Sequence, residues 1–131
     1  LPHISSNVSV WPTEPGANPL DEWLNSLAAL RAEIPEDTLV LPSHGLPFVG
    51  AARRLSQLID HHKAQLDALY RFCRRPCRAV DTFEVLFHKE IPDAERIIAT
   101  GEALAHLRHL ERRRLLRVDR DAQGVDWYSQ A

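Results

Sequence analysis

The chain has 131 residues, 44% of them hydrophobic and 26% charged, with a formal net charge of -2. That is the scale of one ordinary domain, or of a small domain with a piece of another. No apolar run approaches the roughly 18 residues of a membrane span, no signal-peptide pattern opens the chain, and the slight acidity argues against bulk attraction to nucleic acid.

Other compositional features set expectations. The two cysteines suggest a reducing compartment, and the expected location is cytoplasmic. There is no Met, and the chain opens on Leu1-Pro2-His3, so it is expected to be an internal portion of a longer protein. Charge is segregated. Residues 1–50 hold one Arg against six acids, residues 51–78 hold seven basic residues against two acids, and residues 79–131 hold eight against ten.

In chain order, "ISSNVSVW" (4–11) shows partial alternation at Val8 and Val10 and predicts a short strand or extended segment. "PTEPGANP" (12–19) is a loop, with three Pro, one Gly and one Asn in eight residues. Leu20, Trp23, Leu24, Leu27 and Leu30 then fall at helical spacing. Asn18 or Pro19 starts this helix, Asp21 and Glu22 suit the positive end of its dipole, and Pro35 stops it. "DTLVLP" reads as a short buried strand over 38–41, and "GLPFVG" (45–50) as a loop that approaches another surface closely.

A long helix is predicted from about 51 to 75, with Leu55, Ile59, His62, Leu66, Leu69 and Cys73 on one stripe and Pro76 ending it. "TFEVLFHKE" (82–90) predicts a short helix capped by Asp81 or Thr82. Pro92-Asp93 opens another, with Ile97, Ile98, Gly101, Leu104, Ala105, and Leu107 or Leu110 on its apolar face. "LLRVDRDAQGVDWYSQ" (115–130) reads as strand, turn, strand, with Gly124 free to take positive φ. Helix, helix and hairpin after a leading helix is the order of a winged helix-turn-helix. Its expected core includes Leu86, Phe87, Ile98, Leu104, Leu107, Leu115 and Trp127.

Chemistry is concentrated at few residues. His44 stands in "LVLPSHGLPF" (39–48), where a hydrophobic strand runs into Pro42-Ser43-His44-Gly45. An imidazole at a strand end suits zinc or iron. A catalytic metal needs about three protein ligands and an open position, and no HxHxDH, HExxH or CxxC pattern is present. His3 is the only local companion. On the residues alone, a solitary loop His is more often structural than a ligand.

His61 and His62 are adjacent on a helix and point about 100° apart, so at most one faces a given site. Either one of them lines a substrate cleft, or one is a hydrogen-bonded interface residue and the other is solvated. Cys73 and Cys77, spaced C-x3-C, are expected to be a free buried and a semi-exposed thiol rather than a metal pair. A disulfide between them would need oxidising surroundings. Arg108, Arg112, Arg113 and Arg114, with Arg71, Arg74, Arg75 and Arg78, could form a phosphate-binding patch. The ten acids among residues 79–131 weigh against it.

Four stretches carry a resemblance. "TLVLPSHGLPFVGAARRLSQLIDHHKAQLDAL" is similar to the closing segment of metallo-beta-lactamase-fold hydrolases, in which the last metal-binding His follows a short strand in a "PxHG" or "SHG" setting. "HHKAQL" resembles the "HHxxRL" element of the subgroup that carries a C-terminal winged helix (the lactamase-beta-like subgroup), and "GEALAHLRHLERRRLLRV" resembles its C-terminal helix and wing. "ISSNVSVWPTEPGANPLDEWLNSLAAL" looks like the segment between the metal-bridging Asp and the final His.

The resemblance implies an α+β, mainly α chain. Residues 1–50 would be the last piece of the αββα metallo-beta-lactamase domain, 51–78 a linker helix, and 79–131 a winged-helix domain. It implies a zinc- or iron-dependent parent hydrolase acting on an ester, thioester, lactam or phosphodiester, with His44 as metal ligand and His61 or His62 near substrate. The rest of the ligand set would lie before Leu1, so the chain itself is expected to be inactive and metal-free, and to self-associate through apolar surface that the parent buries. A winged-helix module binding nucleic acid or a partner protein is the competing reading. Specific nucleic-acid binding is not expected, and neither is a membrane.

Overall fold

The structure, a computed structural model, describes residues 8–11 and 13–131. The sequence expectations for residues 4–7, and for His3 as a companion to His44, lie outside the described residues. The elements are α1 (Pro19–Glu33), α2 (Ala51–Phe72), a 3-10 turn (Ala79–Thr82), α3 (Phe83–Phe87), a second 3-10 turn (Asp93–Glu95), α4 (Arg96–Arg112), β1 (Leu116–Arg120) and β2 (Asp126–Gln130). This is a mainly helical α+β chain with a single two-stranded sheet among its described residues.

Local chemistry sets most boundaries. Pro19 opens α1, where its missing N–H is no loss, and Asp21 and Glu22 sit in the positively polarised first turn. Gly50 (φ 87°) turns the chain into α2 from a left-handed conformation. α3 is shorter than predicted because His88 adopts a left-handed conformation (φ 54°) and closes the helix with its N–H on Glu84 O at 3.0 Å.

The hairpin forms as the sequence indicates, with Leu116 opposite Gln130 and Arg120 opposite Asp126. Its turn is organised by Asp121. That carboxylate accepts from the Gln123 and Val125 N–H groups (both 2.9 Å) and from Trp127 Nε1 (2.8 Å). Gly124 takes the positive φ of 81° that the turn demands.

One core joins the pieces. Leu20 from α1, Leu66 and Leu69 from α2, Leu86 from α3, Leu107 and Leu110 from α4, and Leu116 and Tyr128 from the hairpin are buried together with Val8 and Val10. Leu27, Leu58 and Ile59 form a satellite between α1 and α2. Each fully buried Leu contributes about 1.5–3 kcal/mol. Cys77 exchanges two backbone hydrogen bonds with Tyr128 (2.9 and 2.8 Å), and so pairs the segment after α2 with β2.

Of the two forms expected around Val8 and Val10, the strand is not formed; both are buried, and Val10 N–H donates to Gly101 O of α4 at 3.0 Å. Other expectations are corrected. A close approach occurs at Gly101, where an added Cβ would lie 3.2 Å from Ser9 Cβ, while Gly50, at the end of the 45–50 loop, has open space. Residues 38–41 do not form a buried strand. Only Val40 pairs, with Phe48, and Leu39 and Leu41 face solvent.

The apolar face of α4 begins later than predicted. Ile97 and Ile98 are exposed, while Ala99, Ala103, Leu107 and Leu110 are buried. Leu30 is exposed at the end of α1, and in "LL" it is Leu116, not Leu115, that turns inward.

Candidate functional site

The first candidate is the loop carrying His44. Val40 and Phe48 exchange backbone hydrogen bonds (2.8 and 3.1 Å) and pinch off residues 41–47. Gly45 takes φ 95° directly after the histidine. His44 is exposed at the tip of this loop. Nearby in the chain, Leu39, Leu41, Leu46 and Val49 are 60%, 74%, 80% and 63% exposed. Four large aliphatic side chains exposed within eleven residues are unusual for a surface that meets only water.

The second candidate is a histidine seam between helices. The two residues of the His61-His62 pair do diverge: His61 is exposed, and His62, at 2% exposure, lies in the α2–α4 interface. Its ring centroid is 5.6 Å from that of His106, and His61 stands 5.9 Å from His62 on the outer side. His106 and His109 of α4 are buried as well.

Burial dominates the electrostatics of this seam. It pushes His62 down to about 4 from 6.5, and the neighbouring His106, His61 and His109 add to the effect. Burial also lowers His106, against the pull of the Glu102 carbonyl 2.8 Å from its Nδ1. His109 is lowered by burial despite Asp21, whose carboxylate is 3.9 Å from Nδ1. The seam is therefore neutral at pH 7. Sequence reasoning placed His62 on the buried stripe but missed His106 and His109. Their i, i+3 spacing on the inward face of "AHLRHL" was the available signal.

Cys73 and Cys77 are both buried free thiols, with Sγ atoms 3.5 Å apart. The expected semi-exposed position of Cys77 is corrected: its pairing with Tyr128 carries it into the core.

The arginines do not form one free patch. Arg108 donates to the Glu14 and Ala17 carbonyls (3.2 and 2.9 Å) and Arg112 to that of Gly16 (3.3 Å), which ties the 13–17 loop to α4. Arg78 is held in a bidentate pair with Asp81 (3.0 and 2.7 Å) and lies 5.4 Å over the Trp127 ring. Among the described residues, no group of three His, Cys, Asp or Glu is placed to hold a metal ion. His44 can supply one ligand, and the described residues do not supply a companion set. No helix among the described residues is long and apolar enough to cross a membrane.

Comparison with known proteins gives this geometry a context. A crystal structure of a beta-lactamase domain protein from Burkholderia ambifaria is similar to 98% of the chain at 41% identity, with a TM-score of 0.92. A metallo-beta-lactamase family protein from Thermus thermophilus is similar over the whole chain at 27% identity, with a TM-score of 0.79. The chain spans 38% and 39% of the lengths of these two proteins. No curated protein matches it. The family model described as metallo-beta-lactamase-like, C-terminal domain, matches residues 66–131, from the middle of α2 to the last residue. The chain belongs to the metallo-beta-lactamase-like family, whose C-terminal domain its second half represents.

Proposed function

We propose that the chain is the C-terminal part of a metal-dependent hydrolase, and that His44 contributes one ligand to a zinc or iron site completed by residues from elsewhere in the longer protein. The observation that carries this reading is the setting of His44: a single exposed imidazole on a loop closed by the Val40–Phe48 bridge, in a stretch of chain where Leu39, Leu41, Leu46 and Val49 are exposed as well. The similarity to a beta-lactamase domain protein over nearly the whole chain supports it. A bound metal in such a site would generate hydroxide to attack an ester, thioester or phosphodiester.

The described residues lack a complete ligand set, so no hydrolytic step is assigned to this chain alone. What the chain does itself is present His44. The Val40–Phe48 bridge fixes the base of the loop, and Gly45 permits the turn after the ligand. His61, on the outer side of α2, is the member of the histidine pair available to substrate.

Residues 79–131, with the end of α2, act in this reading as a winged-helix module. Helix, short helix, helix and hairpin follow in that order, and Cys77 extends the hairpin by one pairing. Its role is packing beside the cleft. The engagement of Arg78, Arg108 and Arg112 in internal contacts favours this over nucleic-acid recognition. In isolation, the exposed aliphatic residues of the 39–49 stretch seek cover from a second copy of the chain.

The test joins this chain to the part of the Burkholderia ambifaria protein that the match leaves uncovered, then assays aryl ester, thioester and phosphodiester hydrolysis. Metal-dependent turnover of at least one class, abolished by His44→Ala and absent from the chain alone, is expected. Turnover that survives His44→Ala would refute the assignment of His44.

A further inference from the structure

The thiols of Cys73 and Cys77 meet where α2 ends and the chain turns back toward β2. Cys73 is the residue that caps α2, with its N–H on Leu69 O at 3.0 Å and its carbonyl accepting from Gln130 N–H at 2.9 Å. Cys77 exchanges two backbone hydrogen bonds with Tyr128. Both cysteines are thus fixed to β2 by backbone bonds on either side of the exposed Arg74-Arg75-Pro76 turn. Their Sγ atoms are held 3.5 Å apart in the core. A covalent disulfide needs about 2.05 Å, so closure asks for a local adjustment of the turn rather than a rearrangement of elements.

We propose that Cys73 and Cys77 are a reversible dithiol–disulfide pair that locks the C-terminal end of α2 to the β-hairpin when oxidised by a low-molecular-weight disulfide. The two thiols have different roles. Either sulfur can donate the hydrogen bond between them, but Cys73 is fully buried whereas Cys77 keeps 5% exposure. Cys77, nearer to solvent, is therefore the sulfur that meets the oxidant and attacks.

In the first step the Cys77 thiolate attacks one sulfur of oxidised glutathione. A Cys77–glutathione bond forms, the glutathione S–S bond breaks, and the departing thiolate takes up the proton that Cys77 lost. In the second, Cys73 gives up its proton and attacks Cys77 Sγ. The Cys73–Cys77 bond forms, the mixed disulfide breaks, and the second glutathione leaves as its thiol. Two protein thiols are oxidised and one glutathione disulfide is reduced. Cys73 is fully buried, so it acts only as the resolving thiol, already in place beside its target.

Because the native fold holds the sulfurs together, folding and closure must favour each other by thermodynamic linkage. The test equilibrates native and urea-unfolded chain with graded ratios of reduced to oxidised glutathione, quenches with acid, and reads intact mass. Trypsin digestion then seeks residues 72–74 joined to 75–78. Native chain should lose two hydrogens, yield the joined peptides, and reach half-oxidation at a ratio at least tenfold more reducing than the unfolded chain requires. Cys73→Ser should instead stop at a stable adduct of one glutathione on Cys77. Three results would overturn the proposal: native chain that stays reduced where unfolded chain oxidises, wild type that stops at the single adduct, or disulfides only between chains.

Discussion

Acidification should destabilise the fold in a window set by the histidine seam. His62 has an ordinary value of 6.5 in the unfolded chain and about 4 in the folded one. A group whose folded value is depressed favours the folded state fully above its unfolded value and loses that contribution as pH falls toward the folded value. The difference of about 2.5 pH units, at about 1.4 kcal/mol per unit, totals about 3.5 kcal/mol when complete. Between pH 7 and pH 5 the linkage relation gives a loss of about 2 kcal/mol from His62 alone. His106 and His109 are lowered too and act in the same direction. The assay is urea unfolding followed by circular dichroism from pH 5 to pH 8, a range above the ordinary carboxylate titrations. Wild type should lose at least 2 kcal/mol on going from pH 7 to pH 5, and His62→Gln should lose distinctly less. A flat profile in wild type, or equal slopes in both proteins, would refute the reasoning.

Leu107, fully buried, should cost about 2–5 kcal/mol as Leu107→Ala, whereas Ile97→Ala, at a site 72% exposed, should stay within about 0.5 kcal/mol; paired urea melts check both. Gly101→Val should displace residues 8–10 from α4, since even a Cβ there would lie 3.3 Å from Val10 O. A shift in the emission of Trp11, just beyond that segment, would report it. Duplex DNA should bind weakly, without sequence preference and with a steep loss in salt, as phosphate contacts alone dictate. Fluorescence anisotropy showing nanomolar, salt-resistant, sequence-specific binding would instead favour the nucleic-acid reading.

Most helices were legible in the sequence because their signals are local. Pro19 with its acidic first turn marks α1, and the stripe through Ile59, His62, Leu66 and Leu69 marks the buried face of α2. The hairpin was legible from Asp121 and Gly124, whose chemistry the turn requires.

The misreadings occur where partners distant in sequence decide. Hydrophobicity alone favours Ile97 and Ile98 as the inward face of α4. The observed packing instead buries Ala99 and Ala103 on one side of the helix and lets residues 8–10 run against Gly101 on another, which leaves Ile97 and Ile98 outside. The 38–41 segment has the composition of a buried strand, yet among the described residues it finds only Phe48 to pair with. At the candidate site, His44 was legible from its Pro-Ser-His-Gly setting. The seam of His62, His106 and His109 was not, because it exists only when α2 and α4 meet.

The most direct test of the account is zinc stoichiometry, by inductively coupled plasma mass spectrometry, after exhaustive dialysis. The 131-residue chain and its His44→Ala variant should both retain less than about a tenth of an equivalent. The protein that joins the chain to the uncovered part of the Burkholderia ambifaria relative should hold zinc or iron, and should lose at least one metal equivalent as His44→Ala. Stoichiometric metal on the chain alone, or metal in the joined protein indifferent to His44, would contradict the claim that His44 is one ligand of a site completed from elsewhere.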